Sequence, residues 1–219
     1  MRTLFDPMTI FIRVVIILTL LPIHECAHAY IANKLGDPTA KNMGRLTLNP
    51  MAHMDIIGAV MLVFTGFGFA RPVPVEPRNF INPKRGMGVV AAAGPISNII
   101  VSFILLVLVK LLDLLGHNTF LGDFGFYYFI IQFLFMMCYI NLSLAVFNLL
   151  PVPPLDGSKI IGIFLSDKVY YKFMAYERYL SIALLILVAS GVLNMPLSWL
   201  TDKLYSLIDL LTFFIPSRI

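Results

Sequence analysis

Residues 22–31 read PIHECAHAYI, and they lie inside an apolar run from about Met8 to Lys34. The run is long enough to span a bilayer, which takes about 20 apolar residues. Yet Arg13, His24, Glu25 and His28 interrupt it. Ionisable groups at membrane depth are costly and by default mark function. His24 and His28 are four positions apart, so on a helix they share one face. Glu25 stands beside the first of them. The pattern is H-E-x-x-H. Two imidazoles are placed to reach one Zn²⁺ at about 2.0–2.1 Å, and a carboxylate is placed to take a proton from an attacking water. Two histidines hydrogen-bonded inside a helix bundle are the plainer alternative, and an apolar segment leaves it little room.

The composition agrees with a membrane setting. The chain is 59% hydrophobic and 13% charged, with mean hydropathy +0.87. Soluble domains carry about 45–50% apolar and about 25% charged residues. The 18 Phe, 9 Tyr and 11 Met suit lipid-facing and interfacial surfaces or plain packing. Net charge is +4, the excess of Lys and Arg expected of cytoplasmic loops. A nucleic-acid partner is excluded, because it would need a basic face with interleaved aromatics and these charges are scattered. Cys26 and Cys138 fall in apolar runs and read as packing residues, not a disulfide framework. The first apolar run has no small-residue cleavage site, so no signal peptide is expected.

Gly36-Asp37-Pro38 closes the first segment with turn residues. A polar stretch, 41–55, leads to an apolar run from Ile56 to Ala70 that Gly58, Gly66 and Gly68 break. Residues 71–86, RPVPVEPRNFINPKRG, alternate Val with Pro and predict extended chain. Met87 to Leu115 predicts a spanning helix, with Ala91, Ala92, Ala93 and Gly94 small enough for close packing. A polar link from Gly116 to Asp123, holding His117, precedes a further span from about Phe124 to Leu150. Ser158–Leu165 is a short apolar segment, and Ser166–Arg178 is polar and basic. Leu180–Leu193 is just long enough to span, and Leu197–Ile215 is a candidate weakened by Asp202, Lys203 and Asp209.

Positive charge orients the chain. Lys34, Lys41 and Arg45 follow the first helix, and Arg71, Arg78, Lys84 and Arg85 precede the Met87 helix. Both groups fall on the cytoplasmic side if 56–70 is a re-entrant hairpin instead of a span. Lys168, Lys172 and Arg178 then fall inside too. Non-helical backbone at that depth must border protein or a wet cavity. The predicted fold is an all-α polytopic membrane protein. It has a core of three transmembrane helices plus the re-entrant hairpin, with one or two further C-terminal helices.

A catalytic zinc needs a third protein ligand and an open fourth position. Asp156 is the best candidate, in NLLPVPPLDG, residues 148–157. The three prolines forbid regular helix and stiffen a stretch that could hold a carboxylate against a neighbouring helix. A plain turn residue ahead of Gly157 is the alternative. By the orientation above, Asp156 and the histidines both lie toward cytoplasmic helix ends.

HECAHA near the start and NLLPVPPLDG near residue 150, with GRLTLNPMAHMD, PVPVEPRNF and AAAGPISN between, resemble the site-2 protease family of intramembrane zinc metalloproteases. The resemblance covers roughly residues 20–165, in family order, without a PDZ-like or other regulatory domain. It implies that His24, His28 and Asp156 ligate one zinc per chain and that Glu25 is the general base. It also suggests that Asn148 binds the scissile carbonyl or oxyanion, a role that suits an amide donor. A helix-terminal cap is the alternative for Asn148. The family further implies a membrane-inserted β-hairpin over 44–80, which would receive an extended substrate as an added strand.

The expected protein is one peptidase domain over 1–219, its catalytic core at about 8–165 and its C-terminal helices at about 178–216. Its expected activity is zinc endopeptidase action on transmembrane segments of other proteins. The bilayer and a transmembrane substrate are its partners, and self-association is left open. The expected location is a bacterial-type cell membrane with the site toward the cytoplasm. A catalytically silent zinc-binding scaffold is the first alternative, which an intact Glu25 disfavours. A metal transporter is the second, which the scarcity of polar groups in Met87–Leu115 disfavours. Three residues stay open at this stage. His53 is a supporting or gating group or an interfacial histidine. Asn98 lines a cleft or bonds between helices. Pro22 opens a kink or is merely tolerated.

Overall fold

The computed structural model describes residues 7–65, 70–117 and 125–215. Among these the regular structure is helical. The elements are α1 (Pro7–Leu18), α2 (Leu20–Lys34), α3 (Thr39–Asn42), α4 (Pro50–His53), α5 (Ile56–Thr65), α6 (Pro83–His117), α7 (Gly125–Asn148), α8 (Asp156–Gly162), α9 (Asp167–Ala175), α10 (Glu177–Ala189) and α11 (Asn194–Leu211). A 3₁₀ turn at Pro77–Asn79 lies between α5 and α6. Three stretches are long and apolar enough to cross a membrane: Ile10–Lys34, Pro83–Leu115 and Gly125–Asn148. Helices α10 and α11 meet that test only jointly, across an 88° bend. The chain is a polytopic all-α membrane protein.

Local chemistry explains the departures from the predicted boundaries. The first span breaks at Thr19, whose φ of −124° and ψ of −61° are not helical. Pro22 is the cause: it has no N–H for the Leu18 carbonyl, and its ring crowds that carbonyl. Helix α2 ends where Gly36 adopts φ +101°. The Gly36 and Asp37 amides bond back to Asn33 and Ala32 at 3.3 and 2.9 Å, closing a Schellman turn. Helix α6 begins at Pro83, earlier than the predicted Met87. Asn82 caps it, its Oδ1 accepting from Arg85 N at 3.0 Å, and Pro83 takes the first helical position where no N–H is needed. His117 is its last residue, and the link at 118–124 lies outside the described residues.

The segment expected to be a re-entrant hairpin is helical over its described part. Helix α5 has 10 residues, about 15 Å of length against a hydrocarbon core of about 30 Å, so it cannot cross alone. Asp55 caps it by accepting from Gly58 N at 2.9 Å. At its other end Arg13 of α1 donates to the Val63 carbonyl at 2.7 Å. Residues 66–69 lie outside the described residues, and 70–76 follow with neither helix nor strand.

Two compact units are present. One joins the described residues up to Ser97 with Asn148–Ile182. Ala32, Phe80 and Val90 are its buried centre, with Ile31, Val75 and Met87 packed on them. The other joins Asn98–Phe147 with the described residues from Ala183 onward. Its buried centre is Leu106, Cys138, Leu142 and Ile208. The charges that weakened the last segment all have partners in that unit. Asp209 pairs with Lys110 at 2.6 Å, Asp202 accepts from Tyr139 Oη at 2.8 Å, and Lys203 lies over the Trp199 ring. The backbone carbonyl of Asn98, a buried residue, accepts from Asn141 Nδ2 at 2.7 Å and so joins α6 to α7.

Candidate metal centre

Helix α2 carries His24 and His28 on one face, and α8 begins at Asp156. The two Nε2 atoms lie 3.0 Å apart, and each lies 3.3 Å from the same oxygen, Asp156 Oδ2. The rings stand at 83° to one another, so their edges converge without stacking. Bonds of about 2.0–2.1 Å to a tetrahedral zinc put neighbouring ligand atoms about 3.3–3.4 Å apart. The three observed separations are close to that edge length. Two imidazoles and one carboxylate are also the donor set of an open, catalytic zinc site. These residues fit the metal.

The imidazole protonation follows from partners. His28 Nδ1 lies 2.8 Å from the Val90 carbonyl, which can only accept, so Nδ1 carries the proton. In the neutral ring, the form that binds a metal, Nε2 is then the lone pair, and it faces His24 and Asp156. His24 Nδ1 is buried without a partner among the described residues. Two glycines make the convergence possible. A Cβ on Gly94 of α6 would stand 2.4 Å from His24 Cε1 and from His28 Nε2. A Cβ on Gly157 would stand 2.2 Å from the Leu149 carbonyl, so this glycine lets the proline turn fold tightly behind Asp156.

Glu25 is 9% exposed, and its Oε2 accepts from the Val73 amide at 3.2 Å. Val73 sits in the irregular segment 70–76, which is tied down on both sides. Arg71 N donates to the His53 carbonyl at 2.8 Å, and Arg45 Nη2 donates to the carbonyls of Arg71 and, at 3.2 Å, Pro72. Beyond Val73, Glu76 N donates to Asp37 Oδ2 at 2.8 Å and Asn79 Nδ2 to Asp37 Oδ1 at 2.7 Å. Burial by itself would raise the Asp37 carboxyl. The hydrogen bonds from Thr39, Asn79 and the Glu76 amide outweigh it and hold Asp37 below the usual carboxylate range.

The sequence singled out His24, Glu25, His28 and Asp156, and the chain brings all four into one unit. Asn148 is the half-buried last residue of α7, just ahead of the proline turn. His53 is 1% exposed, and its Nε2 donates to the Thr47 carbonyl at 2.8 Å. Sequence reasoning missed Val73, Val90, Arg45 and Asp37. Val73 and Val90 act through the backbone, which leaves no mark in residue type. Gly94 was visible only as a small residue suited to packing.

Comparison with known proteins gives a consistent picture. The profile of peptidase family M50 matches residues 117–190. The Bacillus subtilis strain 168 protein named "Putative zinc metalloprotease YwhC" is 41% identical over 187 residues, 85% of this chain and 84% of its own. A Mycolicibacterium smegmatis protein named "Putative zinc metalloprotease Rip2" is 25% identical over 192 residues, 85% of this chain and 69% of its own. A Methanocaldococcus jannaschii protein named "Putative zinc metalloprotease MJ0611" is 30% identical over 139 residues, 63% of this chain and 62% of its own. No solved structure gives a significant match.

Proposed function

The chain belongs to peptidase family M50, the site-2-type zinc metalloproteases, and on that premise we propose that it is an intramembrane endopeptidase cutting transmembrane segments of other proteins. The observation that carries the reading is the convergence of His24 Nε2, His28 Nε2 and Asp156 Oδ2 at 3.0–3.3 Å, with Glu25 next in sequence to His24.

His24, His28 and Asp156 would hold one zinc per chain. When bound, the ion supplies Lewis acidity that polarises the scissile carbonyl and makes a water acidic enough to attack at neutral pH. Glu25 is the general base: with Oε2 anchored by Val73, Oε1 takes the proton of the attacking water and then delivers it to the leaving amine. Asn148 donates from its amide to the negative charge developing on the carbonyl oxygen. The substrate must arrive unwound, because a helix keeps its carbonyls occupied. Burial of both histidines beside a mostly covered Asp156 suits this chemistry, since a water-poor site strengthens each charge–dipole contact. The basic loops favour an orientation with the site toward the cytoplasmic side of a cell membrane, and we read the chain as one peptidase domain.

The test is zinc analysis beside cleavage of a single-span reporter protein in detergent. Glu25→Gln is expected to keep zinc and to lose cleavage by about 10²–10⁴-fold. His24→Ala and Asp156→Ala are expected to lose the metal. Cleavage by Glu25→Gln at the unmutated rate would refute the mechanism. Full zinc occupancy in either alanine variant would remove that residue from the ligand set.

A further inference from the structure

Among the described residues the Val73 amide is the one that donates to the Glu25 carboxylate, yet it sits in a segment with no helix or strand of its own. Pro72 and Pro74 remove the amides on either side of Val73, so few ladder bonds could hold it. The tie nearest to Val73 on its N-terminal side is Arg45, whose guanidinium reaches the two preceding carbonyls, Arg71 and Pro72. Arg45 is only 6% exposed, and no carboxylate pairs with it among the described residues. Its Nε is buried without a partner. A guanidinium taken out of water to serve backbone carbonyls is an expensive arrangement.

The local fold fixes that guanidinium in place. Gly44 adopts φ +69°, and the amides of Gly44 and Arg45 bond back to Lys41 and Ala40 at 3.0 and 2.8 Å. The Schellman turn at the end of α3 therefore sets the origin of the Arg45 side chain.

We propose that Arg45 is a positioning residue for the reaction: its grip on the Arg71 and Pro72 carbonyls fixes the strap 70–76, whose Val73 amide orients the Glu25 carboxylate. This rests on the proposed role of Glu25. Arg45 touches neither substrate nor metal ligand in the proposal. Its guanidinium also attracts the Glu25 charge directly, but the proposed effect is on the strap's geometry, and a displacement of about 1 Å at a reacting group costs about 10²-fold in rate.

Two measurements test it, and the first needs no catalysis. Hydrogen exchange on the full-length protein in detergent reads the strap directly, because the only amides in 71–77 are those of Arg71, Val73, Val75 and Glu76. Arg45→Met is expected to raise exchange there by about tenfold or more while α2 keeps its protection. Unchanged exchange would overturn the proposal whether or not the chain is a protease. The second measurement separates kcat from KM on the single-span reporter, with zinc content measured alongside. Arg45→Met is expected to keep zinc and KM and to lower kcat about 10–100-fold, and Arg45→Lys to recover part of the loss. An unchanged kcat, a rise in KM alone, or loss of zinc with the rate would each overturn it. If Glu25→Gln cleaves normally, the catalytic reading fails first, and the exchange result still decides whether Arg45 holds the strap.

Discussion

At the scale of single residues, Gly94 bears most directly on the metal. It has no local conformational need to be glycine, since it lies inside α6. Its place is explained by the imidazoles it faces, because a Cβ would meet His24 and His28 at 2.4 Å. Carbon atoms pack at about 3.5–4.0 Å, so a methyl group there must displace one ring or the helix. His28 has little freedom to yield, being held by the Val90 carbonyl at 2.8 Å on the same helix as Gly94. Gly94→Ala is therefore expected to weaken zinc binding by about 10-fold or more, measured by competition with a chromophoric chelator. Undiminished affinity would mean that the rings swing aside freely. The change adds only one methyl group, so its effect is distinct from loss of a ligand.

At the scale of elements, Asp37 joins the end of α2 to the strap and the 3₁₀ turn. It is fully buried and accepts from the Thr39 and Glu76 amides and from the Thr39 and Asn79 side chains. Hydrogen bonds to a charged acceptor contribute about 1.5–3 kcal/mol each, so Asp37→Ala is expected to destabilise the protein by about 2 kcal/mol or more. The folded carboxyl lies below its unfolded value of about 3.9, so its contribution is complete above that pH. It is lost as pH falls through the lower, folded value. Thermal midpoints of Asp37→Ala and the unmutated protein should therefore differ at pH 7 and converge in strong acid. A gap that persists unchanged there would assign the loss to packing.

Asp37 also marks the limit of what the residues alone reveal about elements. Gly36-Asp37-Pro38 was legible as a helix stop, which it is, but the partners of Asp37 come from residues up to 42 positions away. The H-E-x-x-H face was legible because helical periodicity is local and lipid makes such groups conspicuous. Asp156 was legible because three prolines announced a non-helical turn. The break at Thr19 could be traced to Pro22, whereas α5 could not be told from a hairpin arm: its glycines and apolar run suit either. The strap was visible as a proline-broken, non-helical stretch, but its anchors were not, since carbonyls and amides carry no residue signature.

At the scale of the whole molecule, the proposed ligands come from opposite parts of the sequence, His24 and His28 on α2 and Asp156 on α8. A metal bound there closes a very long loop, and long loops are the ones whose closure most restricts the unfolded chain. Zinc binds the folded arrangement, so saturation at about 1,000 times Kd should stabilise by about 4 kcal/mol. Removing the ion with a chelator is thus expected to lower the thermal midpoint by several degrees, and adding zinc back to restore it. Glu25→Gln should show the same chelator shift as the unmutated protein, because a base that does not ligate contributes nothing to closure. Asp156→Ala should show almost no shift, because two histidines on one helix cannot join α2 to α8. If Asp156→Ala keeps the full shift, the ion is held within α2 and does not join the two helices.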